Sequence, residues 1–336
     1  MSVDPWKDAE IIIFCQAPAD LIHVLDIIDQ FDLQKKLLIT RNTKSLYHFL
    51  LKLNLKNTRI IHLENLKLNL RSIKSIRLAK RIICETTDRF NDFSEKDVYF
   101  FSTSYDYYTA ALVAKLAENN RVYYYNHYDD LTSKVGTRSF SLGRFTRAKL
   151  YQYITNGVKF SYAQQKNFPK FIASQYPIRF LSIHEKPVVN NKYLYRVNSY
   201  KNVLLLMSEK EVECLAPNEI NKIYNVISNL KNEFRIYYKG HPRLGSSEKI
   251  INWADELIPN SLPSEFICYD SFEYVIGIGS AALCYPAEKK YSQVISLIKH
   301  VRFSNNQRND DLINYLKEYS KNRIDFESSK IFEFAK

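Results

Sequence analysis

Residues 203 to 243 read VLLLMSEKEVECLAPNEINKIYNVISNLKNEFRIYYKGHPR, and this stretch decides the fold. It opens on a β-rich apolar run, Val203 to Met207, passes through a segment of helical period, Asn218 to Leu230, and returns to a second apolar run, Phe234 to Tyr238. Strand, helix and strand in that order are the signature of βαβ units around a parallel sheet. Downstream the spacing predicts strands at Phe266 to Tyr269, Tyr274 to Ile278 and Gln293 to Ile298, with a helix starting at Ala281. Upstream it predicts strands at Ile11 to Cys15, Leu37 to Thr40, Arg59 to Leu63, Val98 to Phe101 and Val122 to Tyr125, with helices such as Ala19 to Gln30, Lys44 to Leu53 and Tyr107 to Leu116 between them. A polar stretch from Glu185 to Lys201, with Pro187, Asn190 and Asn191, interrupts the alternation. The expected fold is therefore α/β, with two Rossmann-like, doubly wound domains facing each other across a cleft, over residues 1–190 and 200–312. Residues 313–336 form a helical segment that can return to the first domain.

Composition narrows the functional classes. Of 336 residues, 46% are hydrophobic and 25% charged, too apolar a mixture for a disordered chain. No run of about 18 apolar residues occurs, so no spanning helix is expected. The start of the chain lacks the basic, apolar and small-residue regions of a signal peptide, and the expected compartment is the cytosol. Cys15, Cys84, Cys214, Cys268 and Cys284 are scattered without C-x-x-C spacing, which points to buried thiols and to no metal site. With 7 glycines there is neither a G-x-G-x-x-G fingerprint nor a Walker A loop, arguing against dinucleotide enzymes and P-loop ATPases.

The net charge of +12 is unevenly placed. Residues 200 to 336 hold 18 Lys+Arg and 18 Asp+Glu, so the whole excess lies in residues 1 to 199. Leu131 to His184 carries nine basic residues and no acidic one. Such a field suits an anionic partner, whether nucleic acid, lipid surface or acidic glycan, and is equally compatible with a solvated basic face. Leu66 to Ile83 reads as a basic amphipathic helix, with Leu66, Leu70, Ile73, Ile76, Ala79 and Ile83 on one side. It can lie on an anionic membrane or pack its stripe on a sheet.

Three loops that follow or precede strands carry chemistry. Lys239-Gly240-His241-Pro242-Arg243 gathers three cationic or titratable side chains after a strand, around a glycine that permits close approach. A histidine there is suited to giving a proton to a phosphate leaving group. Pro263-Ser264-Glu265 offers a carboxylate that can accept bonds from ribose hydroxyls. Gly279-Ser280-Ala281 follows an apolar strand and opens a helix, where orphan backbone N–H groups favour a phosphate, although Ser280 taken singly reads as an N-cap.

The His-Pro loop, a Pro-x-Glu 24 residues on from the histidine (241 to 265), and a strand-Gly-Ser 15 residues further (265 to 280) form a combined pattern. It resembles the donor half of bacterial sialyltransferases of the two-domain GT-B architecture, in glycosyltransferase families 52 and 80 and the capsular polysialyltransferases. The resemblance covers mainly residues 200 to 290. It implies that His241 assists departure of the CMP phosphate, Glu265 binds the ribose, and Ser280 holds the phosphate with Gly279 and Ala281. Lys239, Gly240, Pro242, Arg243 and Ser264 would line the nucleotide. These families also have an acidic pair followed by Gly after a first-domain strand. Here Tyr128-Asp129-Asp130-Leu131 stands at that place, with Leu131 for the Gly and Ala281 for the second Ser of the phosphate pair. The implied base on the acceptor hydroxyl is Asp130, with Asp129 and Glu209 in reserve.

The resemblance thus implies an inverting, metal-independent transferase. It would move sialic acid from CMP-sialic acid to a hydroxyl, such as that of terminal galactose, of a lipopolysaccharide, O-antigen or capsular glycan. No cofactor is expected. The basic first domain would meet the acceptor, which can be lipid-linked, at the inner face of a bacterial membrane. Alternatives are a transferase for another CMP-linked acid (Kdo, legionaminic or pseudaminic), a processive polysialyltransferase, or a nucleic-acid-binding protein stacking bases on its 25 Tyr and 20 Phe. Against the last, Tyr123 to Tyr125 fall in an expected strand, and no nucleic-acid fold signature is present.

Overall fold

The computed structural model describes residues 7–41, 44–66, 68–101, 106–126, 142–160, 174–182, 189–197, 201–241, 244–304 and 309–327. The chain divides into two units, Met1–Val188 and Val189–Lys336.

The first unit is built on six strands: β1 (Ile11–Cys15), β2 (Lys36–Thr40), β3 (Thr58–His62), β4 (Asp97–Phe101), β5 (Arg121–Asn126) and β6 (Ile178–Ser182). They pair in parallel in the order β3-β2-β1-β4-β5-β6, with Ile11 opposite both Lys36 and Asp97. Every residue of β1 and β2 is buried. A parallel strand covered on both faces has no use for alternation, which is why these segments read as unbroken apolar runs. The covering helices are α1 (Leu21–Gln30), α2 (Lys44–Lys52), α3 (Ile73–Asp88), α4 (Tyr107–Leu116) and α5 (Leu142–Ile154).

The second unit repeats the plan. It contains β7 (Asn202–Leu206), α6 (Glu209–Glu213), α7 (Glu219–Leu230), β8 (Arg235–Lys239), α8 (Glu248–Ile251), β9 (Glu256–Leu257), β10 (Tyr274–Gly277), α9 (Cys284–Lys289), β11 (Gln293–Ser296) and α10 (Asn309–Tyr319). Its five strands are all parallel, in the order β11-β10-β7-β8-β9. Helix α7 shows how sequence becomes packing. Ile223, Val226, Ile227 and Leu230 recur at helical spacing and are all buried on the sheet, each worth about 1.5–3 kcal/mol of apolar burial. Helix α10 packs on α9, and the backbone of Asp325 pairs with Val294 and Ser296 of β11 at 2.9 Å in each direction.

The α/β class and the two doubly wound, Rossmann-like sheets expected from the sequence are present. Four local expectations need correction. Phe266 to Tyr269 is not a strand but two short 3-10 turns joined by a bridge between Ile267 and Tyr195. All four residues are buried, so they form core between turns rather than a ladder. The helix expected over Leu66 to Ile83 begins only at Ile73, where Ser72 caps it by accepting from Ser75 N–H, and Ile73 itself is exposed. Strand β6 lies inside the segment read only for its charge. Of the cysteines, Cys15 and Cys268 are buried, Cys84 and Cys284 half-buried, and Cys214 exposed.

Candidate functional site

In a doubly wound sheet the loops at the carboxyl ends of the two strands flanking the order reversal diverge and leave a crevice for ligands. In the second unit those strands are β7 and β10. Beside β7 on its other side, β8 delivers the Lys239 loop to the same carboxyl edge.

After β7, Ser208 caps α6 in a reciprocal box with Glu211. Its backbone N–H and hydroxyl both donate to Glu211 Oε2, at 2.7 and 2.8 Å, and Glu211 N–H returns a bond to Ser208 Oγ at 3.2 Å. The other carboxylate oxygen, Oε1, accepts the backbone N–H of Gly279 at 3.0 Å. One side chain therefore clamps the β7 loop to the β10 loop. The sequence motif Ser-x-x-Glu announces the cap; the bond to a residue 68 positions away has no sequence signal, and sequence reasoning missed it.

After β8, the chain turns sharply. His241 and Gly245 exchange backbone bonds at 3.0 and 3.1 Å. Gly245 sits at φ +76°, where a side chain would be strained and would run into Glu209 Oε2. At Gly240 a Cβ would meet the Gly245 carbonyl at 2.8 Å, so the turn closes only on glycine. Inside this turn the Leu244 N–H donates to His241 Nδ1 at 3.1 Å. A ring whose Nδ1 accepts a backbone bond carries its neutral-form proton on Nε2. A further strap comes from the buried Tyr238 hydroxyl, which donates to Met207 C=O at 3.0 Å and accepts from Ser247 N–H at 2.9 Å.

Lys239 ends β8 at 4% exposure, and its ammonium donates to the Gly240 carbonyl at 3.1 Å. Burial drives its pKa down to about 8, against the upward pull of the Glu265 charge. Glu265 lies in the 3-10 turn Ser264–Phe266, half-buried, and Oε2 accepts from Ser264 Oγ at 3.1 Å. Its charge also adds to the burial that raises the Tyr269 phenol, and contributes to holding Tyr285 at about 12. Ser280 is an N-cap: its hydroxyl oxygen accepts Ala282 N–H at 3.3 Å and opens a 3-10 turn, Ala281–Leu283, that runs into α9. The hydroxyl proton remains available to a ligand.

Of the residues singled out in the sequence, Lys239, Gly240, His241, Glu209, Gly279, Ser280 and Ala281 thus belong to loops at one edge of the second sheet. Ser264 and Glu265 join them through the charge of Glu265 on Lys239. Asp129, Asp130, Pro242 and Arg243 lie outside the described residues. Among the described residues, no three His, Cys, Asp or Glu side chains gather as a metal site requires.

No protein-family model and no curated protein matches this chain. Among solved structures it is similar to a glycosyltransferase of kitacinnamycin, at 6% identity over 97% of this chain and 91% of that one, with a TM-score of 0.49. It is also similar to UDP-N-acetylglucosamine 2-epimerase from Rickettsia bellii, at 12% identity over 93% and 88% with a TM-score of 0.40. A third similarity is to the UDP-GlcNAc 2-epimerase of Neisseria meningitidis, at 11% identity over 97% of both chains with a TM-score of 0.41. With scores below 0.5, these likenesses select neither a reaction nor the role of a residue.

Proposed function

We propose that the chain is an inverting glycosyltransferase that moves sialic acid from CMP-sialic acid to a hydroxyl of a cell-surface glycan. The observation that carries this reading is the His241 turn, in which a backbone N–H on Nδ1 leaves Nε2 as the proton-bearing nitrogen, beside a buried ammonium and at the edge that bears Ser280.

The donor already holds its leaving group as a phosphodiester, so the chemical task is to neutralise charge on the departing CMP and to deprotonate the acceptor. His241 Nε2–H donates a hydrogen bond to the leaving phosphate oxygen, and Ser280 O–H and the Lys239 ammonium donate beside it, so the charge on the departing CMP is met without taking the proton from the neutral ring. Because Glu265 Oε2 is engaged by Ser264, Oε1 is the oxygen left to bind ribose hydroxyls. Asp130 takes the proton of the attacking hydroxyl, with Asp129 or Glu209 in reserve. Attack on the face opposite the phosphate inverts the anomeric carbon. The scheme needs no metal, since donors from the chain meet the phosphate charge. The enzyme would work in the cytoplasm, against an acceptor carried at the inner face of a bacterial membrane.

The test is equilibrium binding of CMP, UMP and dTDP by calorimetry, followed by competition among CMP-linked acids. Preference for CMP, with CMP-N-acetylneuraminic acid the strongest competitor, is expected. Preference for a uridine or thymidine nucleotide would overturn the donor assignment. A stronger response to CMP-Kdo, CMP-legionaminic or CMP-pseudaminic acid would keep the chemistry and change the sugar. Product length separates single addition from polymerisation.

A further inference from the structure

Helix α3 turns two different faces to its surroundings. Ala79, Ile83 and Thr86 are buried against the first unit's core. The opposite face, which a surface helix normally fills with polar groups, exposes Ile73 at 68% and Leu78 at 47%, with Lys74, Arg77 and Arg81 between and beside them. Helix α5 packs along α3 and adds to this surface. Lys80 Nζ sits 3.9 Å from the centroid of the Tyr153 ring, and Asn156 Nδ2 lies 3.1 Å from Cys84 Sγ. These two contacts advance together along both chains, so the helices run parallel, and their starts, Ile73 and Leu142, lie at the same end. Leu142 is 72% exposed and Tyr153 52%, and Arg147 and Lys149 are exposed on α5 as well. Neither Ile73 to Cys84 nor Leu142 to Ile154 contains an acidic residue. The first acid on α3, Glu85, is 3.7 Å from Arg81.

We propose that the exposed face of α3 and α5 is a docking surface for an anionic lipid bilayer. Cations alone would fit any polyanion. The interleaved Ile73, Leu78 and Leu142 favour one partner: acidic glycans and a nucleic-acid phosphate backbone cover exposed aliphatic side chains poorly, whereas the headgroup boundary of a bilayer takes both charges and apolar groups. The surface belongs to the first unit and does not rest on the transferase reading of the second.

The experiment is flotation of the full chain with vesicles of equal parts phosphatidylglycerol and phosphatidylcholine, and with vesicles of phosphatidylcholine alone. Binding to the anionic vesicles, weakened by salt and absent from the neutral ones, is expected. Arg77→Gln with Arg81→Gln should weaken it about 30-fold, at about fivefold per cation near an anionic surface. Ile73→Ser with Leu78→Ser should weaken it about tenfold at unchanged charge. Neutralising two cations elsewhere in the unit, Lys35→Gln with Lys56→Gln, should change it little. All these side chains are exposed, so the variants are expected to keep the native melting profile. Failure to bind anionic vesicles, equal binding to neutral ones, or equal losses in the Lys35 and Lys56 variant would overturn the proposal. So would binding of single-stranded DNA as tight as that of vesicles and indifferent to Ile73 and Leu78, since the face would then be a polyanion site.

Discussion

The two sheets share a topology and use their carboxyl edges differently. In the first unit the described polar groups at the ends of β1, β2 and β4 are spent on one another. Arg41, buried after β2, donates to Asp106 at 2.8 Å and stacks 4.2 Å over the Tyr108 ring. Asp106 also caps α4 through Tyr108 and Thr109 N–H at 3.0 and 3.1 Å, and Gln16 from the β1 loop donates to the Thr109 hydroxyl. Apart from Arg41 Nε, which has no hydrogen-bond partner among the described residues, the network is a closed strap across the ends of β1, β2 and β4. In the second unit, Glu211 and Tyr238 tie the loops together through backbone groups, and among the described residues the buried Lys239 ammonium is bonded to one carbonyl. A buried cation with donors to spare costs free energy until an anion arrives. Among the described residues, then, the ends of β1, β2 and β4 in the first unit act as scaffold, while the second edge keeps a buried cation whose hydrogen bonding an anionic ligand would complete.

The sharpest way to break this contrast is His241→Ala. If Nε2–H is the donor to the departing phosphate, its loss should slow transfer by about 10²–10³-fold, with the fold preserved by the remaining backbone pairing of the turn, as far-UV circular dichroism would check. Turnover within a few-fold of the parent would remove His241 from the scheme. Next, on the scaffold side, Asp106→Ala leaves the Arg41 guanidinium buried without its carboxylate and should cost about 3–5 kcal/mol of stability in urea unfolding. A cost below about 1 kcal/mol would mean the first edge is not the rigid strap described.

Smaller effects sharpen the second edge. Glu211→Ala removes hydrogen bonds from a charged acceptor to two loops and should destabilise the second unit by about 1.5–3 kcal/mol, raising the KM for donor more than it lowers kcat. A change in kcat alone would argue for direct chemistry by this carboxylate. Ser280→Ala should weaken CMP binding by a similar 1.5–3 kcal/mol if the hydroxyl meets a charged phosphate; unchanged affinity in calorimetry would leave it as a cap only.

The pH dependence follows from Lys239. Its folded pKa, about 8, lies below the ordinary lysine value of 10.5. The unfolded chain therefore binds more protons between those values, and this group's burial cost is fully present below about 8 and fades as pH rises toward 10.5. An anionic ligand favours the charged form, so CMP affinity should fall above about pH 8, and Lys239→Met should flatten that fall. An identical profile in the variant would show that another group titrates.

Much of this was legible in the residues. Apolar runs without alternation give buried parallel strands, and α7 is written in the spacing of Ile223, Val226, Ile227 and Leu230. The Gly240 and Pro242 pair flags a sharp post-strand turn at His241. What was not legible depends on distant partners. Phe266 to Tyr269 looks like a strand because burial on all sides and strand burial produce the same letters. The role of Glu211 depends on Gly279 being brought beside it by the order of β7 and β10. The exposure of Ile73 is set by where the Ser72 cap starts α3, seven residues later than the start at Leu66 that the apolar pattern suggests.

The most direct test of the central claim is release of CMP from CMP-N-acetylneuraminic acid in the presence of EDTA, with and without a lactose-terminated acceptor, in the parent chain and in His241→Ala. The account predicts release that the acceptor stimulates, that EDTA spares and that the variant lacks. Absence of both CMP binding and CMP release in the parent chain would contradict it.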